Sequence, residues 1–125
     1  MSFSDAVTTV LTKKYADFSG RARRSEYWWF VLAEIIALSI LYGLTRVSSI
    51  FLILYFIVAL ALIIPGLAVT VRRLHDTGKS GWFILLGLIP FVGGIIILIF
   101  TVQEGTPGDN QYGPNPKAIA APYGA

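Results

Sequence analysis

Residues 50–71 read IFLILYFIVALALIIPGLAVTV, twenty-two consecutive positions without a charged side chain. At roughly 1.5 Å of helical rise per residue, such a run is about 33 Å long and spans the ~30 Å hydrocarbon core of a bilayer. Lipid offers no partners to backbone amides and carbonyls, so a crossing segment has to bond them internally, as a helix does. Pro65-Gly66 sits in the later half of the run, where the missing amide and the ring clash are expected to bend the helix.

The rest of the chain agrees with a membrane setting. Of its 125 residues 55% are hydrophobic and 14% charged, and the mean hydropathy is +0.70. A chain this short has too little interior to hide so much apolar surface from water. Two further apolar runs flank the first: residues 27–44, whose one charge is Glu34, and the uncharged residues 82–102, interrupted by Pro90 and Gly93-Gly94. Ahead of them Val7, Val10, Leu11, Tyr15 and Phe18 recur at three- and four-residue steps behind a capping Ser4, which predicts an interfacial amphipathic helix over 4–18 or one packed on the end of the bundle. After them, residues 103–125 are rich in Gly, Pro and Asn and lack helical periodicity. The expected fold is an all-α membrane protein forming one domain over 1–125, with transmembrane helices at 27–44, 50–71 and 82–102, an N-terminal interfacial helix and a turn-rich C-terminal tail.

Charge placement predicts a direction. Lys13, Lys14, Arg21, Arg23 and Arg24 precede the first span and Arg72, Arg73 and Lys79 separate the second from the third, against Arg46 and Lys117 elsewhere. The positive-inside rule then puts the N-terminus in the cytoplasm and, for three full crossings, the C-terminus outside. A third span broken into a hairpin between Pro90 and Gly94 would instead return the tail to the cytoplasm. The net charge of +3 and pI near 9.4 come from cations flanking apolar runs, so no nucleic-acid partner is expected. No cleavable signal peptide is predicted, because charges are scattered through the first 26 residues. With no cysteine and a single histidine, His75, no metal site or other cofactor is expected.

Three polar features stand out. In residues 20–29, Gly-Arg-Ala-Arg-Arg-Ser-Glu-Tyr-Trp-Trp, three guanidinium groups sit beside three aromatic rings. Such a cluster suits bidentate contact with lipid phosphates, and equally suits plain topogenic charge with interfacial anchoring, or a cation–π pair of Arg24 with Trp28. Glu34 lies deep in the first span, where a carboxylate costs up to roughly 3 kcal/mol unless protonated, hydrated or paired. It shares a stripe with Glu26 and Phe30, and it reads either as a titrating group for transport or as a structural partner of Arg72, Arg73 or His75. Ala33 and Ala37 offer a small-residue face for a neighbouring helix.

The third feature, residues 72–82, reads Arg-Arg-Leu-His-Asp-Thr-Gly-Lys-Ser-Gly-Trp. Gly78-Lys79-Ser80 resembles the end of a phosphate-binding loop, but Arg73 occupies the position of its first glycine and no strand precedes it. His75, Asp76 and Ser80 are the residue types of a hydrolytic triad without a nucleophile elbow around them. A hairpin corner, with the second span running one turn into the cytoplasm, explains most of the stretch. The density of donors leaves room for an anionic site shared with residues 21–24.

The motif Phe18-x-Gly20-Arg21-x-x-Arg24-Ser25-Glu26-Tyr27-Trp28, the 72–82 block, and Gly105-Thr106-Pro107-Gly108 with Asn110 and Tyr112-Gly113-Pro114-Asn115-Pro116 together resemble the YhaH-like inner membrane proteins of bacteria, a family defined by domain of unknown function 805. The resemblance covers residues 15–117 and implies a small multi-pass protein of the bacterial inner membrane, with no reaction, substrate or cofactor attached. Gln111 and Asn115 depart from the family's usual Arg and Asp. The expected function is a non-enzymatic module binding anionic lipid headgroups or a membrane partner through Arg21, Arg23, Arg24, Arg72, Arg73, His75, Asp76 and Lys79. The alternative is a transport or proton-conducting element in which Glu34 titrates within an oligomer. Three helices bury little of one another, so self-association or docking on a larger membrane complex is also expected.

Overall fold

A computed structural model describes residues 1–113; the expectations for Lys117 and for the end of the tail motif lie outside the described residues. The chain forms α1 (Phe3–Thr8), a wide π-helical turn (Thr9–Lys13), α2 (Arg24–Leu44), α3 (Ile50–Asp76), a 3₁₀ segment (Gly81–Leu88) and α4 (Val92–Val102). Among the described residues, only α2 and α3 have the length and hydropathy of membrane spans. They form an antiparallel pair joined by a short link, and their outer faces, such as Ile35, Ile53 and Leu60, are exposed. Both exceed the apolar runs: α2 starts at Arg24, and α3 runs on to Asp76, so Arg73 and His75 ride on its last turn with Arg72 just before them.

The third predicted span is not one helix. Residues 82–102 fold as a hairpin in which the 3₁₀ segment and α4 pack antiparallel, with the Phe83 and Phe100 rings 6.0 Å apart. The corner falls at residues 89–91, where Phe91 has φ of 65° and is 94% exposed. Pro90 cannot supply a ladder amide, and Gly93 lies so close to the incoming arm that a Cβ there would sit 2.0 Å from the Leu86 carbonyl oxygen. The arms hold 8 and 11 residues, about 16 Å each at the rises of the two helix types, and fall short of a full crossing. The hairpin therefore returns the chain to the end it left, and residues 101–113 lie against residues 20–24 and 72–79. The described part of the tail thus lies at the arginine end of the bundle, as in the hairpin alternative, and not at the opposite end.

The N-terminal helix also differs. Ser2, not Ser4, caps it by accepting from the Asp5 amide, and regular helix stops at Lys13 instead of reaching Phe18. Its stripe does not lie free at an interface: Ala6 and Val10 are wholly buried, and Val10 and Leu11 pack with Phe30, Leu62 and Val69 of the helix pair. Beyond the π turn, the Tyr15 hydroxyl donates to the carbonyl of Ala61. That carbonyl is the one orphaned by Pro65, which has no N–H to return four residues back along α3. The N-terminal segment thus repairs the helix at its proline, and α3 runs through Pro65 without ending.

Two measurements check this architecture. Because the chain has no cysteine, single probes at Ser19→Cys, Ser48→Cys and Glu104→Cys can be labelled from either side of a vesicle; positions 19 and 104 should label from one side and 48 from the other. Tyr15→Phe leaves the Ala61 carbonyl without its donor and should lower stability in a denaturing-detergent titration by about 1–3 kcal/mol.

Candidate functional site

The polar end of the bundle is built on Asp76, the last residue of α3. Its Oδ1 accepts from Arg21 Nε at 2.9 Å and its Oδ2 from Arg73 Nη1 at 2.5 Å, with all three side chains buried. Its backbone carbonyl takes the Thr106 amide at 2.6 Å. Gly105 presses so close that a Cβ there would lie 2.0 Å from Oδ2. A carboxylate pinned by two guanidinium groups cannot swing aside, so this position admits only glycine.

Both guanidinium groups are otherwise spent on backbone carbonyls. Arg21 donates to Gly108 at 2.7 Å, Gly113 at 3.2 Å, Thr106 at 2.6 Å and Asp76 at 3.3 Å. Arg73 donates to Thr101 at 2.9 Å, Ala22 at 3.1 Å and Gln103. The planar fork with five donors is suited to gathering carbonyls from three separate segments at once. Arg72 pairs with Glu26 and donates Nε to the Asp17 carbonyl at 3.0 Å, while its own carbonyl accepts the Ala22 amide at 2.9 Å. The Asp17 carboxyl is held below the usual carboxylate range, chiefly by the Ser19 hydroxyl and also by the Ser19 amide.

His75 and Asp76 do not act as a relay. His75 Nδ1 lies 2.9 Å from the Gly20 carbonyl, its ring stacks on Tyr112 at 3.9 Å, and its carbonyl accepts from Asn110. Ser80 caps the 3₁₀ segment by accepting the Trp82 amide. Lys79 reaches the Gln103 side chain at 2.8 Å and lies over the Phe100 ring, and burial together with Arg73 lowers its pKa. Arg24 is exposed and contacts the Val102 carbonyl at 3.4 Å, while Trp28, its alternative cation–π partner, donates to the Thr101 carbonyl. Among the described residues no group of three or more His, Asp or Glu is placed to hold a metal.

The two arginine blocks predicted to share one end therefore do so. The tail was read as turns without a target, yet it supplies the carbonyls of Gln103, Thr106 and Gly108 to the cluster, beside that of Thr101 at the end of α4. The surplus of donors is real: among the described residues four arginines are buried, Arg21, Arg23, Arg72 and Arg73, against two buried carboxylates, Glu26 and Asp76. Arg23 Nη1 and Arg72 Nη2 are buried with no acceptor among the described residues.

Glu34 stands apart from this cluster. Arg72, Arg73 and His75, its expected partners, are engaged elsewhere. It faces α3 on the stripe of Glu26 and Phe30, beside Gly66, whereas Ala37 of the expected small-residue face is exposed.

Breaking the Asp76 centre should be costly. Asp76→Asn leaves two buried guanidinium groups without their counter-charge and should destabilise the fold by about 3–5 kcal/mol. Gly105→Ala should act in the same direction, and both are read by helix content and melting in detergent.

Residues 15–114 match the family described as "Protein of unknown function (DUF805)". "Inner membrane protein YhaH" of Escherichia coli K12 is 46% identical over 113 residues, covering 84% of this chain and 91% of its own length. "Inner membrane protein YhaI" of the same strain is 44% identical over 106 residues, covering 84% and 90%. "Uncharacterized protein YiiR" is 27% identical over 121 residues, covering 77% and 83%. No solved structure matches the chain. With the family model spanning both arginine blocks and the start of the tail, and with two relatives named for the inner membrane, the chain belongs to the DUF805 family.

Proposed function

We propose that this chain is a non-enzymatic, multi-pass module of the bacterial inner membrane whose arginine end faces the cytoplasm and holds the phosphate of an anionic lipid headgroup. The observation that carries the reading is the imbalance of the buried cluster, in which four arginines meet two carboxylates and the Arg23 Nη1 and Arg72 Nη2 groups find no acceptor among the described residues. Unneutralised charge away from water is expensive, and a phosphate oxygen is the acceptor nearest to hand at a membrane boundary. The orientation rests on the density of Lys and Arg at this end.

The division of labour within the cluster follows from its bonding. Arg21, Arg73, His75 and Asp76 build the scaffold, since their polar atoms are committed to the chain itself. Arg23 and Arg72 offer the spare donors, and exposed Arg24, with Lys79 nearby, extends the positive surface outward. Trp28 and Trp29, at the same level, donate to the carbonyls of Thr101 and Met1 and set the depth of this end.

Purified protein in nanodiscs should retain phosphatidylglycerol in preference to phosphatidylcholine and melt higher in the anionic lipid. Arg23→Gln with Arg24→Gln should abolish the preference while leaving helix content intact. Inorganic phosphate alone should not reproduce the stabilisation, because the acyl chains hold the headgroup in place. Equal retention of the two lipids by the native protein would overturn the proposal.

A further inference from the structure

Glu34 is the central residue of the 21-residue α2, about 15 Å by helical rise from either end. Among the described residues its carboxylate makes no hydrogen bond and no ion pair. It lies where two open grooves between α2 and α3 meet. One, of about 310 Å³, runs towards Tyr27 and Thr70 at the arginine end. The other, of about 500 Å³, runs towards Tyr42 and Tyr55, and Glu34 and Leu38 line both. Gly66 keeps the space beside the carboxylate open: an added Cβ would stand 3.6 Å from its Oε2. Apart from these polar groups and Ser39 in the second groove, the walls are aliphatic or phenyl, from Phe30, Leu62 and Ile63 among others.

From this geometry we infer that the groove is a binding site for a hydrophobic organic cation, one carrying its charge among aromatic or alkyl groups, that enters sideways from the bilayer and rests its charge against Glu34. A lone carboxylate at this depth is costly unless it is protonated, hydrated or paired, and among the described residues the chain offers no counter-charge: their Lys and Arg lie at 13–24, 46 and 72–79, around the helix ends. A second copy would bring the same distribution, so it leaves the acid equally unmatched. A small hydrated ion would lose its water against aliphatic walls. A hydrophobic cation sheds little hydration, fits the apolar walls, and meets the electron-rich faces of Tyr27, Tyr42 and Tyr55 on either side of the acid. This site is separate from the arginine end and does not rest on the lipid reading.

The test uses tetraphenylphosphonium and tetraphenylborate, matched in shape and opposite in charge, with the full chain in phosphatidylcholine nanodiscs. The native protein should bind the phosphonium saturably, the borate should not displace it, and Glu34→Gln should weaken binding by about tenfold or more, as expected for losing a close charge in a low-dielectric site. Gly66→Leu, which fills the groove and keeps the acid, should weaken it as well, while Arg24→Gln should leave it unchanged. Absence of saturable binding by the native protein, displacement by the borate, or full affinity in Glu34→Gln would each overturn the inference. Should Glu34→Gln fail to fold by helix content and gel filtration, undiminished binding in a folded Gly66→Leu would overturn it instead.

Discussion

The Asp76 carboxylate, clamped between the side chains of Arg21 and Arg73, is the contact on which the polar half of the molecule depends. Each partner carries a different piece of chain with it. Arg21 brings the segment before α2 and reaches into the tail, and Arg73 collects the carbonyls at the end of α4. The backbone carbonyl of Asp76 fixes Thr106. Few apolar residues are fully buried here, and most of those lie between the N-terminal segment and the α2–α3 pair. Tertiary order at this end comes from charge-assisted bonds, which are strong because they are shielded from water and vulnerable because each depends on the others.

The apolar pattern was a dependable guide to α3 and to most of α2, since an unbroken uncharged run of that length has few other fates. The same criterion fails for residues 82–102, which are as apolar as a span yet turn back halfway. Hydropathy measures whether a segment tolerates lipid, not whether it crosses; Pro90 and Gly93 carried the topological information, and the competing hairpin reading rested on them. Likewise, a guanidinium group is as good a donor to a backbone carbonyl as to a lipid phosphate. The composition of residues 21–24 and 72–79 revealed a cluster but left open which of its arginines are spent internally. The tail was the least legible part, because its contribution is made by main-chain oxygens, which every sequence has.

Tyr15 shows how a local defect can organise distant chain. Pro65 removes one amide from the middle of α3, and the exposed carbonyl of Ala61 becomes a fixed acceptor in an apolar setting. The hydroxyl that satisfies it lies 46 residues earlier in sequence, just past the point where the π turn ends the N-terminal helix. A periodicity argument assigns Tyr15 to an amphipathic stripe and misses this role. The apolar body of the ring explains the pattern, and its polar tip explains the docking.

The half-length hairpin also gives the molecule an unequal outline. At the arginine end, the N-terminal segment, α2, α3 and both hairpin arms stand side by side, whereas among the described residues only α2 and α3 continue beyond the Phe91 corner. In a bilayer such a body is a taper, taking up more lateral area in one leaflet than in the other. Acyl chains in the narrower half would then have to spread to cover Phe91 and the tip of the hairpin.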